Sequence, residues 1–297
     1  GAAPVLGFGD VLLSGLALDG GLYLPEVWPA LPPLDELRGL SYPEVATRVM
    51  WPFVEGEISA ADFERIVQES YAVFDTPEVC PVVPFGETSA PAPLSLLELF
   101  RGPTLAFKDV ALQLVGRLFD HVLTERGERI CILGATSGDT GSAAIEACRD
   151  RSHLDIFVLF PEGRVSEVQR RQMTTVPSPN VHAVAVEGTF DDCQDLVKAA
   201  FADSEFRDEV RLSAVNSINW ARVMAQIVYY VTSHLAVAPD GGPVSFVVPT
   251  GNFGNILAGW AAKRMGLPVE RLVVASNRND ILTRFFTTGT MEIRGVV

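Results

Sequence analysis

Lys108 is the side chain of this sequence best placed to do chemistry. It stands near the end of Leu96–Asp109, Leu-Leu-Glu-Leu-Phe-Arg-Gly-Pro-Thr-Leu-Ala-Phe-Lys-Asp, after a Gly-Pro-Thr turn and an apolar pair, at the mouth of an expected helix. An amine held among apolar side chains loses its proton more readily than one in bulk water. That is the condition for nucleophilic attack on a carbonyl and Schiff-base formation. The plain alternative is a solvated lysine beside a helix start, where its charge is mildly unfavourable to the helix dipole.

Two glycine-rich loops could hold anions. The first is Gly134-Ala-Thr-Ser-Gly-Asp-Thr-Gly-Ser142. It follows an expected strand and opens a helix, where unpaired N–H groups attract a carboxylate or phosphate. Thr136, Ser137 and Thr140 add hydroxyls, and Gly138 lets the backbone come close to a ligand. Taken alone, such a loop is more often an ordinary strand-to-helix turn. It is no P-loop, because the required Gly-Lys-Ser/Thr is missing. The second loop, Pro249-Thr-Gly-Asn-Phe-Gly-Asn255, has Gly251 and Gly254 for a tight cradle and Asn252 and Asn255 for amide donors. It lacks the dinucleotide glycine spacing and suits a single phosphate monoester. In Asn216-Ser-Ile-Asn-Trp-Ala-Arg222, Asn219 reads as an N-cap and Arg222 as an anion ligand one turn later. Arg164, before another helix start, is a weaker anion candidate. Each of these residues has a structural reading when taken alone. Their combination with Lys108 is what points to a phosphate-bearing carbonyl compound.

The elements that must carry these groups can be read from periodicity. An amphipathic helix covers Asp62–Phe74, and proline-containing connectors follow around Pro77–Pro84 and Pro91–Pro93. After Leu94, helices are expected at Lys108–Leu123, Thr140–Cys148, Phe190–Phe201, Asn219–Leu235 and Asn255–Met265. A further helix should start at the Ser166…Gln169 capping box. Strands are expected at Arg129–Gly134, Leu154–Phe160, Val181–Val186, Val244–Val248 and Leu272–Ala275. This alternation implies an α/β fold with mostly parallel sheets and helices on both faces. Ligands bind such sheets at the carboxyl ends of strands, where both glycine loops fall. The composition shift divides the chain into an N-terminal region, 1–90, and a catalytic core, 91–297.

Composition narrows the function. The 297 residues are 48% hydrophobic and 20% charged, enough for a sizeable core. The net charge of −14 and the lack of a Lys/Arg block argue against a nucleic-acid partner. The four cysteines and four histidines show no metal or redox spacing, and Cys131 and Cys148 are expected in the core. No apolar run is long enough to span a membrane and no secretory signal opens the sequence, so the cytoplasm is the expected location.

Together these motifs closely resemble the threonine synthase family, pyridoxal-phosphate enzymes of the tryptophan-synthase-β-like fold type II. The matching stretches are Leu96–Asp109, Ala135–Ala144, Leu159–Ser166, Asn216–Gln226 and Val248–Asn255, with Leu18-Asp-Gly-Gly-Leu-Tyr-Leu-Pro25 like the family's N-terminal signature. The resemblance implies conversion of O-phospho-L-homoserine and water to L-threonine and phosphate, with the cofactor joined to Lys108. It implies that Gly251, Asn252, Phe253, Gly254 and Asn255 hold the cofactor phosphate. Asp139 would approach the 3′ oxygen of the cofactor ring. Thr136, Ser137, Gly138 and Thr140 would take the substrate carboxylate. Arg164, Asn216, Asn219 and Arg222 would take the substrate phosphate. The family usually has His at the position of Arg101, and the residue that bonds the pyridine nitrogen is expected beyond Val297. A related dehydratase or β-replacement enzyme, and a catalytically silent cofactor-binding relative, stay open, as do monomer and homodimer.

Overall fold

The computed structural model describes residues 3–17, 19–86, 93–214, 219–249, 253–278 and 280–292. The N-terminal part is helical: α1 (Phe8–Ser14), α2 (Leu34–Leu37), α3 (Tyr42–Met50) and α4 (Ala60–Tyr71). A hairpin of β1 (Val82–Phe85) and β2 (Leu94–Leu97) follows. The long helix α5 (Asp109–Arg126) leads into β3 (Ile130–Ala135), α6 (Asp139–Cys148), β4 (Leu154–Pro161), α7 (Glu167–Thr174) and β5 (Val181–Val186). Next come α8 (Phe190–Ala202), α9 (Ser204–Glu209), β6 (Leu212–Ser213) and α10 (Trp220–Val237). The described part closes with β7 (Val244–Pro249), α11 (Gly254–Arg264), β8 (Val269–Ala275) and α12 (Ile281–Thr288).

The parallel strands form two separate sheets. One has the order β5-β4-β3-β6 and the other pairs β7 with β8. Helices α6 and α8 flank the first, and α11 packs on the second. The expected α/β architecture is therefore present, divided between two sheets. All five expected strands and all seven expected helices occur, most within two or three residues of the anticipated ends. The connector around Pro77–Pro84 is partly a strand. Pro84 faces Ser95 in the antiparallel β1–β2 pair, and a two-stranded ribbon tolerates a residue without an N–H. Residues 91 and 92 of the second connector lie outside the described residues.

Helix α10 is the spine. Its sequence is apolar nearly all round, and 14 of its 18 residues are buried, as expected of a helix packed on every side. Helices α3, α5 and α11 pack against it. Leu12, Val49 and Phe63 from the N-terminal helices share one hydrophobic cluster with Leu114, Met224 and Tyr229. A division near residue 90 thus separates stretches of sequence that fold around a common core. Helices α5 and α6 approach so closely that a Cβ on Gly116 would stand 2.3 Å from the Ala147 carbonyl oxygen. Cys148 is buried as expected, with its thiol pushed up to about 12 by burial, whereas Cys131 is only partly buried. No described helix is long and apolar enough to cross a membrane.

Candidate active site

The lysine loop runs from β2 to α5 and is closed by local hydrogen bonds. Arg101, where the resembling family has His, donates to Glu98 at 2.6 Å and to Asp75 at 3.4 Å, and its carbonyl accepts from the Asp75 amide at 3.0 Å. It braces the start of the loop. Gly102 then passes so near Asp109 that a Cβ there would fall 2.4 Å from the Asp109 Cβ. Buried Asp109 accepts from the Thr104 amide and from the Thr104 hydroxyl, both at 2.8 Å. Between them Leu105 turns through the left-handed region at φ 62°. Lys108 emerges just before the first residue of α5. Its side chain is 18% exposed, its ammonium lies 4.8 Å from the Phe107 ring centre, and Nζ is 3.5 Å from Asp139 Oδ2. This is the sheltered lysine that the sequence suggested.

Asp139 belongs to the first glycine loop, between β3 and α6. Thr136 is buried, and its hydroxyl oxygen accepts from the amides of Gly138 (3.0 Å) and Gly141 (2.9 Å) while donating to the Gly138 carbonyl (3.1 Å). That hydroxyl therefore shapes the loop. Ser137 and Asp139 are exposed and Thr140 is partly buried, so these three remain at the surface of the loop. Gly138 adopts φ 150°, and a Cβ on it would strike the Gln169 side chain at 2.4 Å.

Gln169 was visible in the sequence only as half of a helix cap. In the structure Ser166 accepts from the Gln169 amide at 3.3 Å, and its hydroxyl donates to Gln169 Oε1 at 2.8 Å. The other end of the same side chain, Nε2, donates to Asp139 Oδ1 at 2.5 Å. One turn later Gln172 donates to the Thr104 carbonyl at 3.0 Å. Helix α7 thus touches both the glycine loop and the lysine loop. The three-residue spacing puts both glutamines on one helix face, a signal that sequence reasoning passed over.

The second glycine loop joins β7 to α11. Gly251 and Asn252 lie outside the described residues. Phe253 precedes α11 without a side-chain cap, and a Cβ on Gly254 would meet nothing within 4 Å. The helix start is therefore open on this side. Asn255 Oδ1 accepts from Tyr229 at 2.7 Å and from Tyr230 at 2.9 Å. Tyr229 also reaches Gln226 Oε1 at 3.0 Å. Burial holds both phenols far above their ordinary pKa, so they act as neutral donors. Neither tyrosine was a sequence candidate, because on a helix so apolar they read as core.

Lys108, Phe253, Gly254, Asn255 and Arg222 line one cavity of about 2010 Å³, together with Phe107, Gln226, Tyr229 and Tyr230. Arg222 is buried, and burial lowers its guanidinium to about 10; it still carries its charge at neutral pH. Asn219 caps α10 by accepting from the Ala221 amide at 2.9 Å and donates to the Leu12 carbonyl at 2.9 Å. Its side chain is engaged in structure. Arg164 is exposed and does not line the cavity. Asn216 lies outside the described residues. Among the described residues no cluster could hold a metal ion. The arrangement offers an amine, a carboxylate beside it, an open helix N-terminus and a buried cation. This is the equipment for proton transfer on an anionic carbonyl-bound substrate.

Comparison with known proteins agrees with this chemistry. Residues 1–71 match the model for the threonine synthase N terminus, and residues 83–295 match that for pyridoxal-phosphate dependent enzymes. The chain is 58% identical to threonine synthase of Pseudomonas aeruginosa over 97% of its own length and 61% of that protein. A crystal structure of pyridoxal-phosphate-bound threonine synthase from Brucella melitensis is 59% identical, with a TM-score of 0.95 over 100% of this chain and 63% of that one. Yeast threonine synthase follows at 46% identity and TM-score 0.90, over 95% and 58% of the two chains. The chain therefore spans about three-fifths of the length of these relatives. By its lysine loop, its glycine loops and the match over 83–295, this chain belongs to the pyridoxal-phosphate dependent enzymes.

Proposed function

We propose that this chain acts as a threonine synthase, converting O-phospho-L-homoserine and water to L-threonine and phosphate with pyridoxal phosphate on Lys108. The observation that carries the reading is the shared cavity, which brings together Lys108, buried Arg222 and the open start of α11. The residues fit the cofactor. The first amides of α11 carry partial positive charge, and open space stands where a Cβ of Gly254 would be. With its carbonyl end held by two phenols, Asn255 has its amide nitrogen left for an anion. Gly251, Asn252 and Phe253 complete the cradle on the family pattern. When bound, pyridoxal phosphate supplies an electron sink for the charge left when a proton leaves the carbon bearing the substrate's amino group.

The rest is the work of side chains and backbone. Lys108 removes the proton from that carbon and then one from Cβ, acting by turns as base and acid. Loss of the Cβ proton drives the phosphate from Cγ; Lys108 then returns one proton to Cγ, which becomes the methyl group, water adds its hydroxyl at Cβ and gives up its other proton, and Lys108 returns the last proton to the carbon bearing the amino group. Asp139, 3.5 Å from Lys108 Nζ, steadies the ammonium form between transfers. Amides and hydroxyls of Ser137, Gly138 and Thr140, at the start of α6, take the substrate carboxylate, while Thr136 keeps that loop in shape. Arg222 takes the substrate phosphate and steadies it as it departs. Asn216 joins it on the family pattern, Asn219 sets the helix start that presents it, and exposed Arg164 stands further out. The first ninety residues buttress this core, and the enzyme works in the cytoplasm without nucleic acid or membrane.

The test is absorbance and phosphate release by the wild type and Lys108→Ala. The wild type should gain a visible band with pyridoxal phosphate and liberate phosphate from phosphohomoserine. Lys108→Ala should lose the band, with turnover reduced about 10²–10⁴-fold or more. Full activity in the variant would overturn the reading. A coloured wild type that releases ammonia from serine but no phosphate from phosphohomoserine would make it a dehydratase.

A further inference from the structure

We infer that Gln169 is the positioning residue that sets the carboxylate of Asp139 against Lys108, and that it does so as a hydrogen-bond donor. The inference deepens the reading above, because it concerns the same lysine. Asp139 has a side chain 52% exposed, and an exposed carboxylate samples several rotamers. Here one oxygen accepts from Gln169 at 2.5 Å and the other faces Lys108 at 3.5 Å. The first contact leaves the second as the only turn of the carboxylate that satisfies both.

The direction of the Gln169 amide follows from its two partners. The Asp139 carboxylate only accepts, so it takes Nε2, and the Ser166 hydroxyl, free to turn either way, donates to Oε1 at 2.8 Å. Gly138 clears the path, since a Cβ there would stand 2.4 Å from the Gln169 carbonyl carbon. Gln172 anchors the same helix to the Thr104 carbonyl at 3.0 Å, which keeps α7 in register with the lysine loop. Two other carboxylates on these elements, Glu167 and Asp109, are engaged elsewhere. Glu167 pairs with Arg170 and Arg171, each at 2.8 Å, and Asp109 turns to Thr104. Lys108 is the cation that Asp139 meets. A Ser166→Gln169→Asp139→Lys108 chain thus runs from the cap of α7 to the reactive amine.

Gln169→Glu tests the donor role, because it keeps the shape and replaces the donor with a second acceptor. Gln169→Leu removes the group without adding charge. Binding of pyridoxal phosphate is followed by visible absorbance at pH 8 and in mildly acidic buffer. Acetylation of Lys108 in cofactor-free protein is followed by mass spectrometry at pH 8. Gln169→Glu should bind the cofactor about tenfold more weakly at pH 8, and the gap should close in acid, where the introduced carboxyl regains a proton to donate. Gln169→Leu should be weakened alike at both pH values. Acetylation of Lys108 should slow about tenfold in Gln169→Glu, because two carboxylates then hold its ammonium form. Thermal midpoints within a few degrees of wild type confirm folding. Wild-type acetylation together with wild-type binding in Gln169→Glu at pH 8 would overturn the inference, as would equal losses at both pH values. A wild type that takes up no pyridoxal phosphate would sink the functional reading, and the acetylation comparison would still decide the role of Gln169.

Discussion

Asp109 accepts both hydrogen bonds that Thr104 can donate, one from the backbone amide and one from the hydroxyl, each at 2.8 Å across five positions of the chain. Lys108 lies inside the loop so closed. The pair also sets a pH dependence. Burial raises the Asp109 carboxyl above its ordinary 3.8, against the pull of the Thr104 bonds. Over the interval from 3.8 to the raised value, the folded protein holds a proton that the unfolded chain has released. The contribution of this group to stability therefore falls as pH rises through that interval and is level above it. Asp109→Asn cannot ionise and loses the slope. Urea unfolding across the mildly acidic range should show wild type minus variant decreasing with pH. At neutral pH the variant should be less stable by about 1–3 kcal/mol, because an amide cannot accept both bonds.

Arg222 gives a second expectation. A hydrogen bond to a charged partner is worth roughly 1.5–3 kcal/mol, or about 10- to 150-fold in affinity. Arg222→Met should raise KM for phosphohomoserine by about that factor and change binding of unphosphorylated serine little. Equal changes for both ligands would remove Arg222 from phosphate binding. Because burial lowers its guanidinium to about 10, wild-type KM should also climb as pH nears that value.

The tyrosine pair on α10 makes a third. Tyr230→Phe deletes one of the two phenols that hold Asn255. The loss of about 1 kcal/mol of orientation should weaken pyridoxal phosphate binding roughly fivefold. The phosphorus resonance of the bound cofactor should shift in this variant. An unchanged resonance and affinity would mean that Asn255 does not need the pair.

Leu105 makes a fourth. It is 67% exposed and sits at φ 62°, a backbone state that costs a residue of this kind about 1–2 kcal/mol. Asn tolerates that state better. Leu105→Asn should raise the unfolding free energy by about 1 kcal/mol, as measured in urea. A destabilised variant would show that the exposed side chain has a contact of its own to lose.

Much of this was legible in the sequence because the informative signals were local. The alternation of strand and helix from Ile130 to Val186 followed from short apolar runs and glycine turns, and Lys108 stood out by its turn. Elements with little periodicity escaped, among them α1, α9, β6 and the β1–β2 hairpin, whose Pro84 reads as a connector. The harder losses were tertiary. Nothing near Gln169 in the sequence shows that Asp139 lies across from it, thirty positions away. Thr136 and Asn219 look like ligands because hydroxyl and amide groups serve a helix start and an anion equally well. Only their partners in the fold show that the Thr136 hydroxyl and the Asn219 amide are spent on structure.

Helix α10 carries one last implication. A single rod supplies Arg222, Gln226, Tyr229 and Tyr230 to the cavity and lies against α3 of the N-terminal region. The two regions therefore share one packing problem and are not physically exchangeable modules. A chimera that grafts a foreign N-terminal segment onto residues 83–295 would shift the rod, and with it every cavity-lining group it bears.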